Sequence, residues 1–373
     1  MKLIYIVNVG LPGNWAHCIQ VMKMCEAFAA NGIEVELVTG LKRDTDEKIF
    51  SFFNIKTKFK ITKIPFFDLS ARGSGKLNFL IRSLSFLFFA RLYVLFKKYD
   101  VLYFRTPLAG LFFNDFYLET HELPAQIKNG HKRNFKKARK IIVLTGFLKQ
   151  ELVKSGLEEK KIIIAPDAVN LREFQIDLSK EEARRKLSWP LDKKIIAYCG
   201  NLYFHDWKGV DILLGSLKYL ENIFCVLIGG EESDANEIKS RFGTEKLMIT
   251  GRKPHREIPV CLRAADILVL PNKKGNLTSE YFTSPLKLFE YMAAGRPIVA
   301  SDLPSIREIL NETNAILVKP NDSEELAKGI KRIAGDDILA EKIAGQAAKD
   351  VLQYSWEKRA EKIKKEFISH SPI

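Results

Sequence analysis

Residues 284–297 have the sequence pattern of a helix whose N-terminus could bind an anion. Ser284 is a residue type favoured at the N-cap, and Pro285 suits the first helical turn, where its missing N–H costs nothing. Gly295 is a typical C-terminal stop, so we predict a helix that ends at about Ala294. Unpaired N–H groups and the positive end of the helix dipole favour a negatively charged ligand at this terminus.

Two side chains of this helix could bind parts of a nucleotide. Lys287 lies in the first turn, where a cation is unfavourable for the helix itself, and a bound anion would offset that cost. Glu290 lies one turn later, and its carboxylate could accept two hydrogen bonds from the diol of a ribose. The alternative is an ordinary helix with a Lys–Glu pair on its surface.

A second segment, residues 200–211, could bind a diphosphate. It follows a predicted strand, opens a helix, and places Gly200, Lys208 and Gly209 in the connecting loop. Exposed backbone N–H groups together with a lysine are what a diphosphate requires. Lys208 would otherwise be a solvated loop residue, and this stretch alone gives the two interpretations equal weight.

Short apolar runs alternate with helical periodicity along the chain, which predicts parallel sheets covered by helices on both faces. Helices are predicted over residues 19–31, 210–220 and 355–369. Strands are predicted at residues 3–9, 34–38, 101–104, 141–144, 162–165, 195–199, 224–228, 247–250, 267–270, 298–300 and 315–318.

The pattern starts twice, which predicts two domains. The polar stretch 166–192, which contains two prolines, is the expected linker. We therefore predict an α/β protein with two Rossmann-like domains whose parallel sheets face a central cleft. The N-terminal domain would comprise residues 1–172, completed by a C-terminal helix over residues 356–373 that crosses back to it, and the second domain would comprise residues 173–355.

Six segments carry motifs of a known family: residues 13–20 (GNWAHCIQ), 119–124 (ETHELP), 166–169 (PDAV), 208–211 (KGVD), 285–301 (PLKLFEYMAAGRPIVAS) and 354–357 (YSWE). Together they resemble glycosyltransferase family 4. The resemblance implies a GT-B fold, transfer of a sugar with retention of anomeric configuration, and no metal or other cofactor.

The resemblance also implies roles for individual residues. His121 would lie beneath the donor sugar, Lys208 would bind the donor diphosphate, and Glu290 would hold the nucleotide ribose; these are the predicted catalytic residues. Without the family, His121 would more often be a structural histidine. The predicted donor-binding residues are Gly13, Gly200, Asn201, Lys208, Ser284, Pro285, Leu286, Lys287 and Glu290. The predicted acceptor-side residues are Trp15 and His17, and no metal ligand is predicted.

Two positions depart from the family pattern, which has a second glutamate eight positions before Glu290. That position is Phe282, and Glu280 could replace the missing carboxylate only if the loop bulges. The arginine that often follows the family's glycine is Asn201 here, and Lys287 would restore its charge. These departures concern recognition of the donor sugar more than binding of the nucleotide.

Composition excludes several classes of protein. A hydrophobic content of 46% excludes disorder, and five scattered cysteines without a CxxC pair indicate buried thiols in a reducing compartment. No signal-peptide pattern precedes the first strand, so we expect a cytoplasmic protein, with peripheral attachment to the inner face of the membrane left open.

The net charge of +14 is concentrated in the first half of the chain. Residues 1–186 hold 32 Lys and Arg against 19 Asp and Glu, and the remainder holds 27 against 26. Such a surface suits an anionic membrane, a phosphorylated acceptor or nucleic acid. Nucleic acid is disfavoured, because the sequence has neither a recognised motif nor a periodic aromatic platform.

Residues 77–96 form a very apolar segment. Arg82 and Arg91 within it disfavour a membrane span, because each costs roughly 2.5–3.5 kcal/mol near a bilayer centre. They are about half a turn out of phase, which does not support a helix with two clean faces. We predict a helix buried in the first domain, and the basic pair Lys97–Lys98 keeps a membrane-surface helix as the alternative.

Taken together, the residues and the resemblance predict a retaining glycosyltransferase of the hexosyltransferase type in cell-surface polysaccharide or lipopolysaccharide assembly. Its expected partners are a nucleotide sugar and a carbohydrate or lipid-linked acceptor. The alternatives are a GT-B nucleotide-sugar epimerase and a catalytically impaired sugar-binding partner, which the missing first glutamate keeps open.

Overall fold

The computed structural model describes residues 1–13, 15–41, 44–68, 75–124, 126–203, 207–243 and 245–368. The chain forms two compact units, one of Met1–Pro166 with Trp356–Ile373 and one of Asp167–Ser355. The first unit thus ends at Pro166, slightly before the predicted boundary at residue 172.

The first unit is built on a parallel sheet. Its strands are β1 (Lys2–Ile6), β2 (Glu34–Gly40), β3 (Lys60–Ile64), β4 (Val101–Phe104), β5 (Phe116–Thr120), β6 (Ala138–Val143) and β7 (Ile162–Ile164). They are arranged in the order β3-β2-β1-β4-β5-β6-β7, so the direction of winding reverses between β1 and β4. The first helices of the chain are α1 (Ala16–Ala30), α2 (Asp46–Phe52), α3 (Lys76–Leu95), α4 (Asn129–Lys136) and α5 (Gly146–Lys154).

Strands β3 and β5 are absent from the sequence prediction. Charged residues interrupt the apolar run in both, Lys63 in β3 and Glu119 in β5, so the periodicity is weak. All five residues of β5 are nevertheless buried, because the strand lies inside the sheet between β4 and β6.

The second unit repeats the design. Its strands are β8 (Lys194–Cys199), β9 (Ile223–Ile228), β10 (Leu247–Ile249), β11 (Ile267–Leu270), β12 (Ile298–Ser301) and β13 (Ile316–Val318), in the parallel order β10-β9-β8-β11-β12-β13. Its helices are α6 (Leu171–Phe174), α7 (Lys180–Leu187), α8 (Val210–Ser216), α9 (Glu232–Phe242), α10 (Ile258–Ala264), α11 (Leu286–Ala293), α12 (Pro304–Arg307), α13 (Ser323–Ala334) and α14 (Asp337–Asp350). The two Rossmann-like domains expected from the alternation are therefore confirmed.

The last helix, α15 (Trp356–Ile368), packs in the first unit, as predicted. The ring of Phe367 lies 4.6 Å from that of Tyr117 and 5.7 Å from that of Phe28. About one turn earlier in α15, the Lys364 ammonium donates to the Asn31 carbonyl at 2.6 Å. The chain end therefore completes the core of the first unit.

The cysteines behave as expected from their apolar surroundings. All five are free, and all except the half-buried Cys199 are buried. Burial raises the pKa of the Cys225 thiol to about 12 and that of Cys261 to about 11, so both are unreactive near neutral pH.

Helix α3 contradicts the prediction of a buried helix. In this fully described helix the buried residues are Phe86, Leu87, Ala90 and Val94. Apolar residues occur all around the helix, but only one face of it packs against the domain. Local sequence does not reveal which face this is. By length and composition α3 could cross a membrane, with 22% of that stretch buried.

Candidate functional site

In the second unit, the predicted glycine loop lies where the strand order reverses, between β8 and β11. Ligands of doubly wound sheets bind at this point because two neighbouring loops diverge there. Gly200 follows β8 with a φ of +148°, and Gly209 opens α8 with a φ of +72°. A Cβ on Gly209 would lie 1.8 Å from the Pro271 carbonyl oxygen, so only glycine allows the end of β11 to approach this loop.

The start of α11 differs from its prediction. Pro285 has a ψ of 131° and occupies the N-cap position, so the helix begins at Leu286. Ser284 therefore does not cap α11; its hydroxyl accepts a hydrogen bond from the Asp167 N–H at 3.1 Å. A proline disfavours a helical conformation in the residue before it, which directs Ser284 away from the helix. The predicted stop is confirmed, since Gly295 follows the helix with a φ of +63°.

Lys287 meets the glycine loop. Its ammonium lies 3.9 Å from the centre of the Tyr198 ring, and a Cβ on Gly200 would be 3.1 Å from the same nitrogen. The Tyr198 hydroxyl donates in turn to the Asn201 carbonyl at 3.1 Å. The structure thus places the positive charge of Lys287 beside Gly200, where the sequence expected it to compensate for Asn201.

Lys208, the predicted diphosphate ligand, lies on the same loop. Its ammonium is 5.5 Å from the centre of the Trp207 ring, a cation–π contact. The Trp207 carbonyl accepts from the Lys273 N–H at 2.7 Å, which ties the loop to the residues after β11. Residues 204–206 of the predicted motif lie outside the described part of the chain.

Glu290 is held by a histidine that sequence analysis missed. The carboxylate is nearly buried, and its Oε1 lies 2.7 Å from Nε2 of His255. Because a carboxylate can only accept, Nε2 carries the proton in this contact. On the other side of the ring, Nδ1 is 3.8 Å from Oε2 of Glu173. No local signal could have revealed His255, because 35 positions separate it from Glu290.

Helix α11 brings Glu290 and Lys287 to the end of β8. The hydroxyl of Tyr291 accepts from the backbone N–H of Cys199 at 2.7 Å. Burial raises the pKa of the Cys199 thiol, with Glu290 adding to that effect and Lys287 opposing it, so both charges act at this point. The predicted ribose and diphosphate ligands of α11 therefore meet at one strand end.

The loop before α11 does bulge around Glu280. Residues Thr278–Phe282 form a π-helical turn, which is wider than an α-helical one. The Glu280 carboxylate is 8% exposed, and its Oε1 accepts from the Gly275 N–H at 2.5 Å. One oxygen therefore stabilises the loop itself, and replacement of the missing first glutamate by Glu280 stays a prediction.

In the first unit, His121 follows β5 and lies between the carboxylate of Glu119 and the guanidinium of Arg105. Its Nε2 is 2.6 Å from Oε1 of Glu119, and Nη2 of Arg105 lies 3.0 Å from both ring nitrogens. Since the carboxylate accepts and the guanidinium donates, the neutral tautomer with a proton on Nε2 satisfies both partners. Burial, with the charge of Arg105, lowers the pKa of His121 from 6.5 to about 4. Both ring nitrogens therefore have protein partners, and contact with a donor sugar stays a prediction.

Glu119 is a fully buried carboxylate at the centre of this network. Its Oε1 accepts from Gln20 at 2.5 Å and from Arg359 of α15 at 2.9 Å, and its Oε2 accepts from the Tyr103 hydroxyl at 2.5 Å. Burial alone would raise the pKa of Glu119, but Arg359 and the hydrogen bond from His121 outweigh it and hold that pKa well below its usual value. The acid is therefore ionised, and Arg359, which the sequence did not single out, is its counter-charge.

The predicted acceptor-side residues lie on the loop after β1 and the start of α1. Trp15 is 44% exposed, and the exposed His17 accepts through its carbonyl from Arg105 at 3.3 Å. Partial desolvation of the ring and the charge of Arg105 lower the pKa of His17. A Cβ on Gly13 would lie 2.8 Å from the Gly10 carbonyl oxygen, so this loop, too, is tightly folded. Arg105 thus joins the predicted acceptor loop to His121.

A family model matches most of the second unit. Residues 179–350 match the model of the family "Glycosyl transferases group 1". Over these residues the second unit is similar to the glycosyl transferases group 1. The match contains the loop after β8, His255 and all of α11, so Lys287, Glu290 and their surroundings lie within the matched region, whereas His121 and the acceptor loop of the first unit lie outside it.

The curated relatives are named as glycosyltransferases, and the chain matches only part of their length. An "uncharacterized glycosyltransferase" of Methanocaldococcus jannaschii is 30% identical over 58% of this chain and 56% of its own. The N,N'-diacetylbacillosaminyl-diphospho-undecaprenol α-1,3-N-acetylgalactosaminyltransferase of Campylobacter jejuni is 26% identical over 66% and 64%. A phosphatidyl-myo-inositol mannosyltransferase of Mycobacterium leprae is 27% identical over 48% and 47%. The chain spans about half to two thirds of these relatives.

Solved structures confirm the GT-B fold over the whole chain. The sucrose-phosphate synthase of Thermosynechococcus elongatus has a TM-score of 0.77 at 19% identity and covers 99% of this chain and 98% of its own. Anabaena HepE, solved in complex with UDP and glucose, has a TM-score of 0.77 at 15% identity and covers 99% and 100%. At these identities the likeness establishes the fold alone.

Proposed function

We propose that the protein is a glycosyltransferase that moves a sugar from a nucleotide diphosphate sugar to an acceptor hydroxyl with retention of configuration. The convergence of Lys287 and Glu290 at the end of β8 carries the proposal. A cation beside a glycine loop suits a diphosphate, and a carboxylate one turn further along the helix suits a ribose. The match of residues 179–350 to the glycosyl transferases group 1 supports the same activity.

Catalysis would rest on stabilising the leaving diphosphate. Lys287, Lys208 and the N-terminus of α11 would offset the negative charge that develops as the bond between sugar and phosphate breaks. His255 would keep the Glu290 carboxylate oriented toward the nucleotide. These charges come from the chain itself, so we propose that transfer requires no metal; full activity in the presence of EDTA would support this.

The acceptor and pathway are proposed from the names of relatives. The Campylobacter jejuni and Mycobacterium leprae relatives are named for transfer to a diphospho-undecaprenol-linked sugar and to phosphatidyl-myo-inositol. We propose a carbohydrate or lipid-linked acceptor of the same kind, a hexose-type donor, and a place in cell-surface polysaccharide or lipopolysaccharide assembly. A cytoplasmic enzyme would meet such an acceptor at the inner face of the membrane.

The site is tested by measuring release of UDP or GDP by the wild type, Lys208→Ala and Glu290→Ala. The donor for this assay comes from a thermal-shift screen of UDP-, GDP- and ADP-sugars, since a ligand of the native state stabilises it. Both variants should lose at least about ten-fold in kcat/KM, the loss expected from about 1.4 kcal/mol of transition-state stabilisation. The exposed residues Lys239 and Glu221 of the same unit provide matched alanine controls. Undiminished turnover in both site variants would overturn the assignment.

Two alternatives give different products. A nucleotide-sugar epimerase would change the donor sugar without an acceptor, whereas a transferase releases the nucleotide at an acceptor-dependent rate. A catalytically impaired partner would bind the donor without turnover, so any measurable donor hydrolysis argues against it. Analysis of products with and without acceptor separates all three.

A further inference from the structure

Helix α3 exposes an apolar surface that the domain does not cover. Leu77, Phe88 and Leu95 are 71%, 49% and 55% exposed. At about 100° per residue they fall on one line along the helix, roughly 140° around the axis from the buried face. The residues of this line, here called the outer stripe, are Leu77, Ile81, Leu84, Phe88, Leu92 and Leu95.

The surroundings of the outer stripe are basic. Residues 76–98 contain five Lys and Arg and no Asp or Glu. The first unit as a whole holds 32 Lys and Arg against 17 Asp and Glu, whereas the second holds 27 against 28. The positive charge of the chain is therefore concentrated in the unit that presents the outer stripe.

Two arginines hold fixed positions on either side of the buried face of α3. The Arg82 guanidinium lies 5.2 Å from the centre of the Phe66 ring, and that of Arg91 lies 5.8 Å from the centre of the Phe113 ring. Long basic side chains at such a boundary extend along apolar surface while their charge stays in water or among headgroups. This explains how two arginines fit within an otherwise apolar helix.

We propose that the first unit docks on an anionic lipid bilayer, with α3 parallel to the membrane and the outer stripe inserted at the interface. Apolar side chains with basic neighbours are the combination that anionic bilayers bind. A second copy of the chain is a poorer occupant, because it would bring two basic surfaces together. A membrane span would remove Phe86, Leu87 and Val94 from the core of the domain. The proposal does not depend on the activity proposed above.

Co-sedimentation of the full chain with vesicles tests the proposal. The protein should bind an equal mixture of phosphatidylcholine and phosphatidylglycerol far better than phosphatidylcholine alone, and less well as salt rises. The variant Leu77→Asn/Phe88→Asn/Leu95→Asn should lose at least about 100-fold in partitioning, since each inserted apolar side chain contributes roughly ten-fold. Lys76→Gln/Lys98→Gln should lose about five-fold for each charge, mainly on anionic vesicles.

A matched control separates the outer stripe from general hydrophobicity. Leu191, Ile338 and Leu352 of the second unit are 52%, 82% and 51% exposed, and their triple replacement by Asn should leave vesicle binding unchanged. Thermal unfolding of the stripe variant should match the wild type, because the replaced side chains already face solvent.

Several results would overturn the proposal. The wild type could fail to bind anionic vesicles, or the stripe variant could bind them as well as the wild type. A dimer that dissociates in the stripe variant, without vesicle binding, would show that a second copy covers the stripe. Equal binding to neutral vesicles that resists high salt and alkaline washing would indicate a membrane span.

Discussion

Replacing Glu119 by Gln should destabilise the first unit strongly. The carboxylate is fully buried, and its counter-ion Arg359 is 5% exposed, so the substitution leaves a guanidinium with an uncompensated charge in the core. Breaking a buried pair in this way costs about 3–5 kcal/mol. For a unit of this size, each kcal/mol lowers the unfolding midpoint by about 2–4 °C, so we expect a decrease of roughly 6–20 °C.

Calorimetry of the two-domain protein can follow the transition of the first unit. The matched control is Glu361→Gln in α15, the helix that also carries Arg359. Glu361 pairs with Lys365 at 3.1 Å on the surface. Its loss should cost under about 1 kcal/mol.

A double-mutant cycle isolates the pair itself. Arg359→Met should also be destabilising, because it leaves Glu119 as an unpaired buried anion, but the double variant should cost less than the sum of the two single changes. The reasoning is refuted if the two single effects add to within about 0.5 kcal/mol, which is the behaviour of independent sites.

Three further predictions concern the two sites. The pKa of His121 is lowered to about 4 in the folded protein, so the unfolded chain binds a proton before the folded protein does as the pH falls. The free energy of unfolding should therefore fall by roughly 3 kcal/mol between pH 6.5 and pH 4. His121→Asn should flatten the curve of unfolding midpoint against pH in this window, and an unchanged slope would contradict the assignment. His255→Gln should weaken nucleotide binding by about ten-fold in calorimetric titration, because Glu290 loses the partner that holds its carboxylate in place, and the loss of a charge-assisted hydrogen bond of about 1.5 kcal/mol should lower the unfolding midpoint by only about 3–6 °C. Gly209→Ala should destabilise the second unit by more than Gly295→Ala, since the two glycines have φ of +72° and +63° but a Cβ meets backbone only at Gly209; equal urea midpoints would count against the close packing of this loop.

Local pattern was sufficient for the strands that are apolar throughout. The apolar runs at residues 101–104 and 267–270 coincide with β4 and β11. A parallel strand that is buried on both faces appears in the sequence as a continuous apolar run. The placement of Gly295 predicted the end of α11, since a left-handed residue after a helix favours glycine. Where charged residues enter a buried strand, as in β5, the same rule fails.

Tertiary structure alone decided which side chains act together. Glu290 and Lys287 were identified from one helix, but His255 reaches Glu290 from 35 positions away, and Arg359 reaches Glu119 across 240 positions. Such pairs form because folding brings distant strand ends and helices together. The sequence around one partner does not indicate which residue the other will be.

The exposure of α3 was decided in the same way. Its sequence determined a long apolar helix, and the surface available in the first unit determined that one stripe would be buried and another left facing solvent. Sequence therefore determined the apolar strands, the two-domain fold and the residue types of α11. The fold determined the partners of each charge, because burial and pairing depend on contacts between residues that are far apart in the chain.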